Sequence, residues 1–99
     1  MATPQAQLLD RRFRALADDT RRRIWALLGE RPGSTTAELT GAFPHLSRWA
    51  VMKHLGVLRE ADLVQTLPRG RQRCHYRVER GLDDVRAWLL ANGEAGDQR

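Results

Sequence analysis

The 99-residue chain has a single cysteine, Cys74, which excludes an internal disulfide and a four-thiolate zinc centre and agrees with a reducing compartment. No run approaches the ~18 apolar residues of a membrane span, and the opening MATPQAQLLDRRF has no apolar secretory segment. The protein is therefore expected in the cytoplasm. Glycine-rich phosphate loops, a nucleophile with a matching base, and an acid and base paired at useful spacing are all missing, so an enzyme is not expected. Nor is there an internal repeat or a long linker. Hydrophobic residues make up 41% of the chain, enough for one modest core. One domain over residues 1–91 is expected, with the polar NGEAGDQR of residues 92–99 as a flexible tail.

Acid is missing where base is present. There is no Asp or Glu from Leu39 to Arg59, and none in residues 64–78. Seventeen Lys and Arg against twelve Asp and Glu give a net charge of +5, and sixteen of the seventeen bases are Arg. Arg forks onto phosphate and guanine edges in a way Lys does not, which suits a nucleic-acid partner, although GC-rich coding also favours Arg.

What is present reads as five helices and a hairpin. Thr3 can cap a helix starting at Pro4, with Ala6, Leu9, Phe13 and Leu16 on one face. After the break at residues 17–19, Ile24, Leu27 and Leu28 form the apolar side of a second helix, stopped by Arg31, Pro32 and Gly33. Thr35 and Glu38 have capping-box spacing for a short third helix ending at Phe43 and Pro44. Ser47 caps a fourth, so the third and fourth are joined by about three or four residues, the spacing of a helix-turn-helix. In the fourth helix Val51, Leu55 and Leu58 mark the buried side, leaving Arg48, Trp49, Met52 and Lys53 outward. From residue 63 the period changes to two: LVQTL, PRGR and QRCHYRV read as strand, turn and strand. Cys74, Tyr76 and Val78 are expected on a packed face, and Arg73, His75 and Arg77 on an outward basic one. Leu82, Val85 and Leu89, with Trp88 and Leu90, give a last helix opened by Asp83 and Asp84.

This order predicts a mainly α winged helix-turn-helix, probable partner double-stranded DNA: the fourth helix would enter the major groove and the hairpin would lie along the backbone. Base contacts fall to Arg48, Trp49, Met52 and Lys53. Phosphate contacts fall to Ser47 at the helix start and to Arg69, Arg71 and Arg73 around Gly70. His54, at the edge of the outward side, is included as a further DNA-contacting candidate, with a bond to backbone as the equal alternative. Arg21 to Arg23 can reach phosphate or pair with Asp18 and Asp19. Cys74 is expected as a small core residue, His45 as a turn residue, and Trp25 and Trp88 in the core or a dimer interface. A competing reading is a winged-helix protein-interaction module anchored by Trp49 and Met52, without specific DNA binding.

The stretches FRALADDTRRRIWALL, TTAELTGAFPHLSRWAVMKHLGVLREADLV and RGRQRCHYRV resemble the arsenic-repressor (ArsR/SmtB-like) family of winged-helix transcriptional regulators, over about residues 8–90. The resemblance implies a homodimer formed by the first and last helices, bound to an imperfect palindrome and repressing transcription. Asp19 stands where the family usually has Pro, and Asp62 where it usually has Gly; Asp tolerates a left-handed helix end better than most residues. Metal-sensing members carry a Cys-x-Cys pair on the third helix or Asp, His and Glu pairs on the last. Here AELTGAF has neither sulfur nor imidazole and LDDVRAWLL has no His, so no metal or other cofactor is expected at those sites.

Overall fold

A computed structural model describes residues 2–97, with side chains as far as residue 93. Helices α1 (Pro4–Leu16), α2 (Asp19–Glu30), α3 (Thr36–Ala42), α4 (Arg48–Glu60) and α5 (Asp83–Asp97) alternate with strands β1 (Ser34–Thr35), β2 (Val64–Arg69) and β3 (Gln72–Arg77), and a 3₁₀ turn spans Glu79–Leu82. Each expected cap is formed. Thr3 accepts from the Ala6 amide ahead of Pro4, Asp18 from Arg21, and Ser47 from Ala50. Thr35 and Glu38 exchange both bonds of a capping box.

Ile24, Leu28, Leu39, Val51, Leu55, Leu58 and Leu63 are fully buried, so α2, α3 and α4 share one core. Helix α4 ends in a Schellman motif. The Leu63 amide donates to Leu58 O and the Asp62 amide to Arg59 O, both at 2.9 Å, with Asp62 at φ 54°. Asp62 thus takes the left-handed position that glycine would fill without strain. Gly81 passes directly over it: a Cβ there would lie 2.5 Å from the Asp62 carbonyl oxygen.

The sheet has antiparallel order β1-β3-β2. Arg69 pairs with Gln72, so Gly70 and Arg71 alone make the turn, and Pro68 and Arg69 belong to the strand rather than to the turn. Gly70 has φ 65°, while Arg71 does not enter the positive region, the pattern of a type II′ hairpin.

Three departures from the sequence reading share one cause, the extra strand. Ser34 and Thr35 pair with His75 and Cys74, which makes β3 central and covers it on both faces. The expected outward basic face is therefore wrong for two of its three residues. His75 is 1% exposed, and the Arg77 guanidinium lies 4.2 Å from the Trp25 ring centroid while also pairing with Glu79. Only Arg73 remains outward. At the other end, α5 continues to Asp97, past the expected tail start at residue 92; residues 98 and 99 lie outside the described ones.

Candidate nucleic-acid interface

The α3–α4 turn is built by local bonds: the Phe43 amide donates to Thr40 O and the Leu46 amide to Phe43 O. Phe43 is buried and Leu46 packs partly against the core. This fixes where α4 starts. With Val51, Leu55 and Leu58 inward, the 100° step per residue turns Arg48, Met52, Trp49 and Lys53 to the other side. All four are exposed, Trp49 by 67% and Met52 by 50%. Lys53 Nζ sits 4.5 Å from the Trp49 ring centroid, one turn along, and pins the indole against the helix. Ser47 spends its oxygen lone pair on the Ala50 amide at 3.0 Å, and its own proton is left to give to a phosphate.

On the wing, Arg69, Arg71 and Arg73 are exposed. Among the described residues, none of these three, nor Arg48 or Lys53, enters a salt bridge. Five cations on two adjacent elements thus face solvent without an acid to neutralise them.

A hydrogen-bonded chain behind this surface joins its elements. Arg59 of α4 donates to Thr66 Oγ1 of β2 at 3.3 Å; Thr66 Oγ1 meets His75 Nδ1 at 2.8 Å; His75 Nε2 meets Thr36 Oγ1 of α3 at 2.8 Å. The neutral ring has one N–H and one bare nitrogen, so it donates to one threonine and accepts from the other. Burial lowers the His75 pKa to about 4, and the neighbouring Arg59 and Arg73 charges lower it further in the same direction. Sequence reasoning missed this chain. Period-two alternation assigned His75 to the face of Arg73, and a two-residue strand such as β1 carries no periodic signal that would have corrected it.

His54 does not join the outer surface. Its Nδ1 lies 3.4 Å from Arg21 Nη1 and 4.0 Å from Asp18 Oδ2, so it ties α4 to the α1–α2 corner. The Arg21 amide bonded to Asp18, aided by the Arg21 and His54 charges, holds that carboxyl below its ordinary range against the opposing effect of burial. The Arg21–Arg23 run is likewise structural: Arg21 donates to Ala15 O and Arg14 O, Arg22 to Leu16 O, and Arg23 pairs with Asp19 at 3.0 Å. Cys74 is buried, His45 is an exposed turn residue, and Trp25 donates to Leu63 O at 3.0 Å. Among the described residues, no three His, Cys, Asp or Glu side chains gather where an ion could be held, and no helix is long and apolar enough to cross a membrane.

A helix-turn-helix whose second helix projects a basic and aromatic face, locked to a basic two-stranded wing, defines the winged-helix class of DNA-binding proteins. Comparison with known proteins carries this further. No family model matches the chain. It is 42% identical over 80 residues to an HTH-type transcriptional regulator of Mycobacterium tuberculosis, covering 81% of this chain and 73% of that protein. It is 35% identical over 79 residues to the arsenic resistance transcriptional regulator of Pseudomonas putida, covering 80% of this chain but 58% of that longer protein. Among solved structures, an ArsR family transcriptional regulator superimposes with a TM-score of 0.83 at 31% identity, covering 100% of this chain and 99% of the other. The chain belongs to the ArsR family of DNA-binding transcriptional regulators, a family of regulators rather than enzymes.

Proposed function

We propose that the protein is a homodimeric repressor that binds an imperfect palindromic operator, one copy per half-site, and does not use the family's metal sites. The observation that carries the DNA-reading part is the outward face of α4, where Arg48, Trp49, Met52 and Lys53 stand exposed beside an unneutralised wing of Arg69, Arg71 and Arg73. The α4 side chains contact base edges. The wing arginines and the Ser47 hydroxyl contact phosphate. His54 acts as a strut between α4 and the α1–α2 corner, not as a DNA contact.

The dimer reading rests on a second face. Trp88, Leu89 and Leu90 of α5 are 47, 51 and 58% exposed, and Trp88 meets Phe13 of α1 edge to face at 5.6 Å. An isolated 11.3 kDa protein exposes roughly 5,700 Å², whereas this chain exposes 7008 Å². The excess resembles one protomer's share of a standard interface. Metal silence is proposed from the residue types: α3 reads TAELTGA and α5 opens with adjacent Asp83 and Asp84 and no imidazole.

Fluorescence anisotropy on the chain's own upstream intergenic DNA and on a scrambled duplex, at several salt concentrations, tests the reading. Six wing arginines in a dimer predict a salt slope near −5, so a threefold rise in salt weakens binding more than about a hundredfold. Equal, weak and salt-insensitive binding to both duplexes would refute it and favour the protein-interaction alternative, for which Trp49 and Met52 are the anchors. A monomer by sedimentation at micromolar concentration would remove the two-half-site picture.

A further inference from the structure

We propose that Trp49 and Met52 make α4 a reader of the thymine 5-methyl group, so that each operator half-site carries a thymine whose methyl packs between them. This rests on the DNA-reading function proposed above and names the base chemistry that its apolar residues select.

Trp49 and Met52 lie three positions apart, neighbours on one helix face, within the first two turns of the helix. The first turns of a recognition helix are the part that meets base edges. Both side chains remain at least half exposed although α4 has an apolar inner side available, so their exposure is not a failure to find the core. Arg48 flanks Met52 on one side and Lys53 holds the Trp49 ring on the other, and no acid occurs from Leu39 to Arg59. The patch is therefore apolar at its centre and cationic at its borders. A phosphate track complements the borders but not the centre. The major groove presents hydrogen-bond donors and acceptors at every base pair and a single apolar group, the thymine C5-methyl. Only that group repays the removal of an indole and a thioether from water without leaving a base edge unpaired.

The test uses the full-length protein and a randomised duplex library. The most enriched duplex is resynthesised with deoxyuridine replacing thymine at one position at a time, which removes the methyl and keeps every hydrogen-bonding group. One thymine per half-site is expected to show about a fourfold loss of affinity on demethylation, the value of one buried methyl. That loss should shrink towards onefold in Trp49→Ala or Met52→Ala, whose substitutions lie on the surface and leave the fold intact. If the protein binds the selected duplex tightly and no deoxyuridine position matters, or if the loss persists in both variants, the methyl-reading proposal is wrong while DNA reading stands. If no sequence is enriched over the scrambled control, the DNA-reading function itself fails.

Discussion

His75 offers a quantitative test of whether the wing and the helix-turn-helix are one unit. The ring is 1% exposed, bonded on both nitrogens to threonines, and faced by the cations Arg59 from α4 and Arg73 from its own strand. Thr36 from α3 and Thr66 from β2 are the uncharged groups that complete its surroundings. Its pKa falls from 6.5 to about 4 on folding. The folded value is depressed, so between these values the unfolded chain holds a proton that the folded one does not, and stability rises with pH. The contribution is fully present above pH 6.5 and is lost as pH falls towards 4. At 1.36 kcal/mol per pK unit, about 2.5 kcal/mol is lost by pH 4.5.

His75→Phe removes the titration while roughly keeping the volume. At pH 7.5 the variant should be less stable by about 1–3 kcal/mol, because the Thr36 hydroxyl loses its ring partner in a buried site. At pH 4.5 that penalty should nearly vanish or reverse. Urea unfolding followed by tryptophan fluorescence measures both, at one protein concentration because self-association would make stability concentration-dependent. The carboxyls of Asp18 and Glu38, held low mainly by backbone amides of Arg21 and Thr35, also lose stability in acid, but at lower pH and equally in both proteins. Wild-type and variant stabilities running parallel from pH 7.5 to 4.5 would refute the reasoning.

Three further perturbations separate stability from DNA reading. A Cβ at Gly56, on the outer side of α4, meets nothing closer than Arg59 Nη2 at 3.8 Å, so Gly56→Ala should stabilise the helix by about 0.5–1 kcal/mol yet weaken DNA binding by blocking close approach; a raised melting temperature with unchanged affinity would limit groove contact to the first turns. Gly81→Ala would force its Cβ within 2.5 Å of the Asp62 carbonyl oxygen and should cost about 1–3 kcal/mol in thermal or urea unfolding. Arg71→Ala should weaken binding to all sequences alike and flatten the salt slope by about 1, whereas Arg48→Ala should change which base is preferred; identical sequence rankings in both would contradict the division between helix and wing.

The helices were legible because each carries its own local signals. Thr3 with Pro4, Asp18, Thr35 with Glu38, and Ser47 act within three residues of themselves, and a capping bond needs no tertiary partner. The hairpin was legible through Gly70 and strict alternation. Its surroundings were not. Whether a strand face is buried depends on what lies across it, and β1 reaches β3 from forty residues away in sequence. The same non-locality hid the roles of Thr36, Arg59 and Thr66, ordinary polar residues until the fold brings them to His75. For α5, the asparagine and glycines after Ala91 lower helix propensity, but propensity is a weak prior beside the continuation of an existing helix.

Charge density alone misplaces the interface. The densest basic run is Arg21–Arg23, and an electrostatic scan of the sequence would set it against phosphate. Helix α1 ends just before it, and the last carbonyls of a helix have no internal partner and carry partial negative charge. Arg21 and Arg22 bind those carbonyls at Arg14, Ala15 and Leu16, and Arg23 turns back to Asp19. These charges are spent in fixing the α1–α2 corner, on which His54 in turn braces α4. The wing arginines are fewer per residue, but their strands pair all along their length and supply no bare carbonyl ends, and residues 64–78 contain no acid. What marks a cation for phosphate is therefore the lack of an internal acceptor. That criterion selects Arg69, Arg71 and Arg73 and rejects Arg21–Arg23. Substituting Arg21 by Ala should accordingly lower stability while leaving the salt slope of DNA binding unchanged, and a slope reduced by about 1 would show that the corner touches phosphate after all.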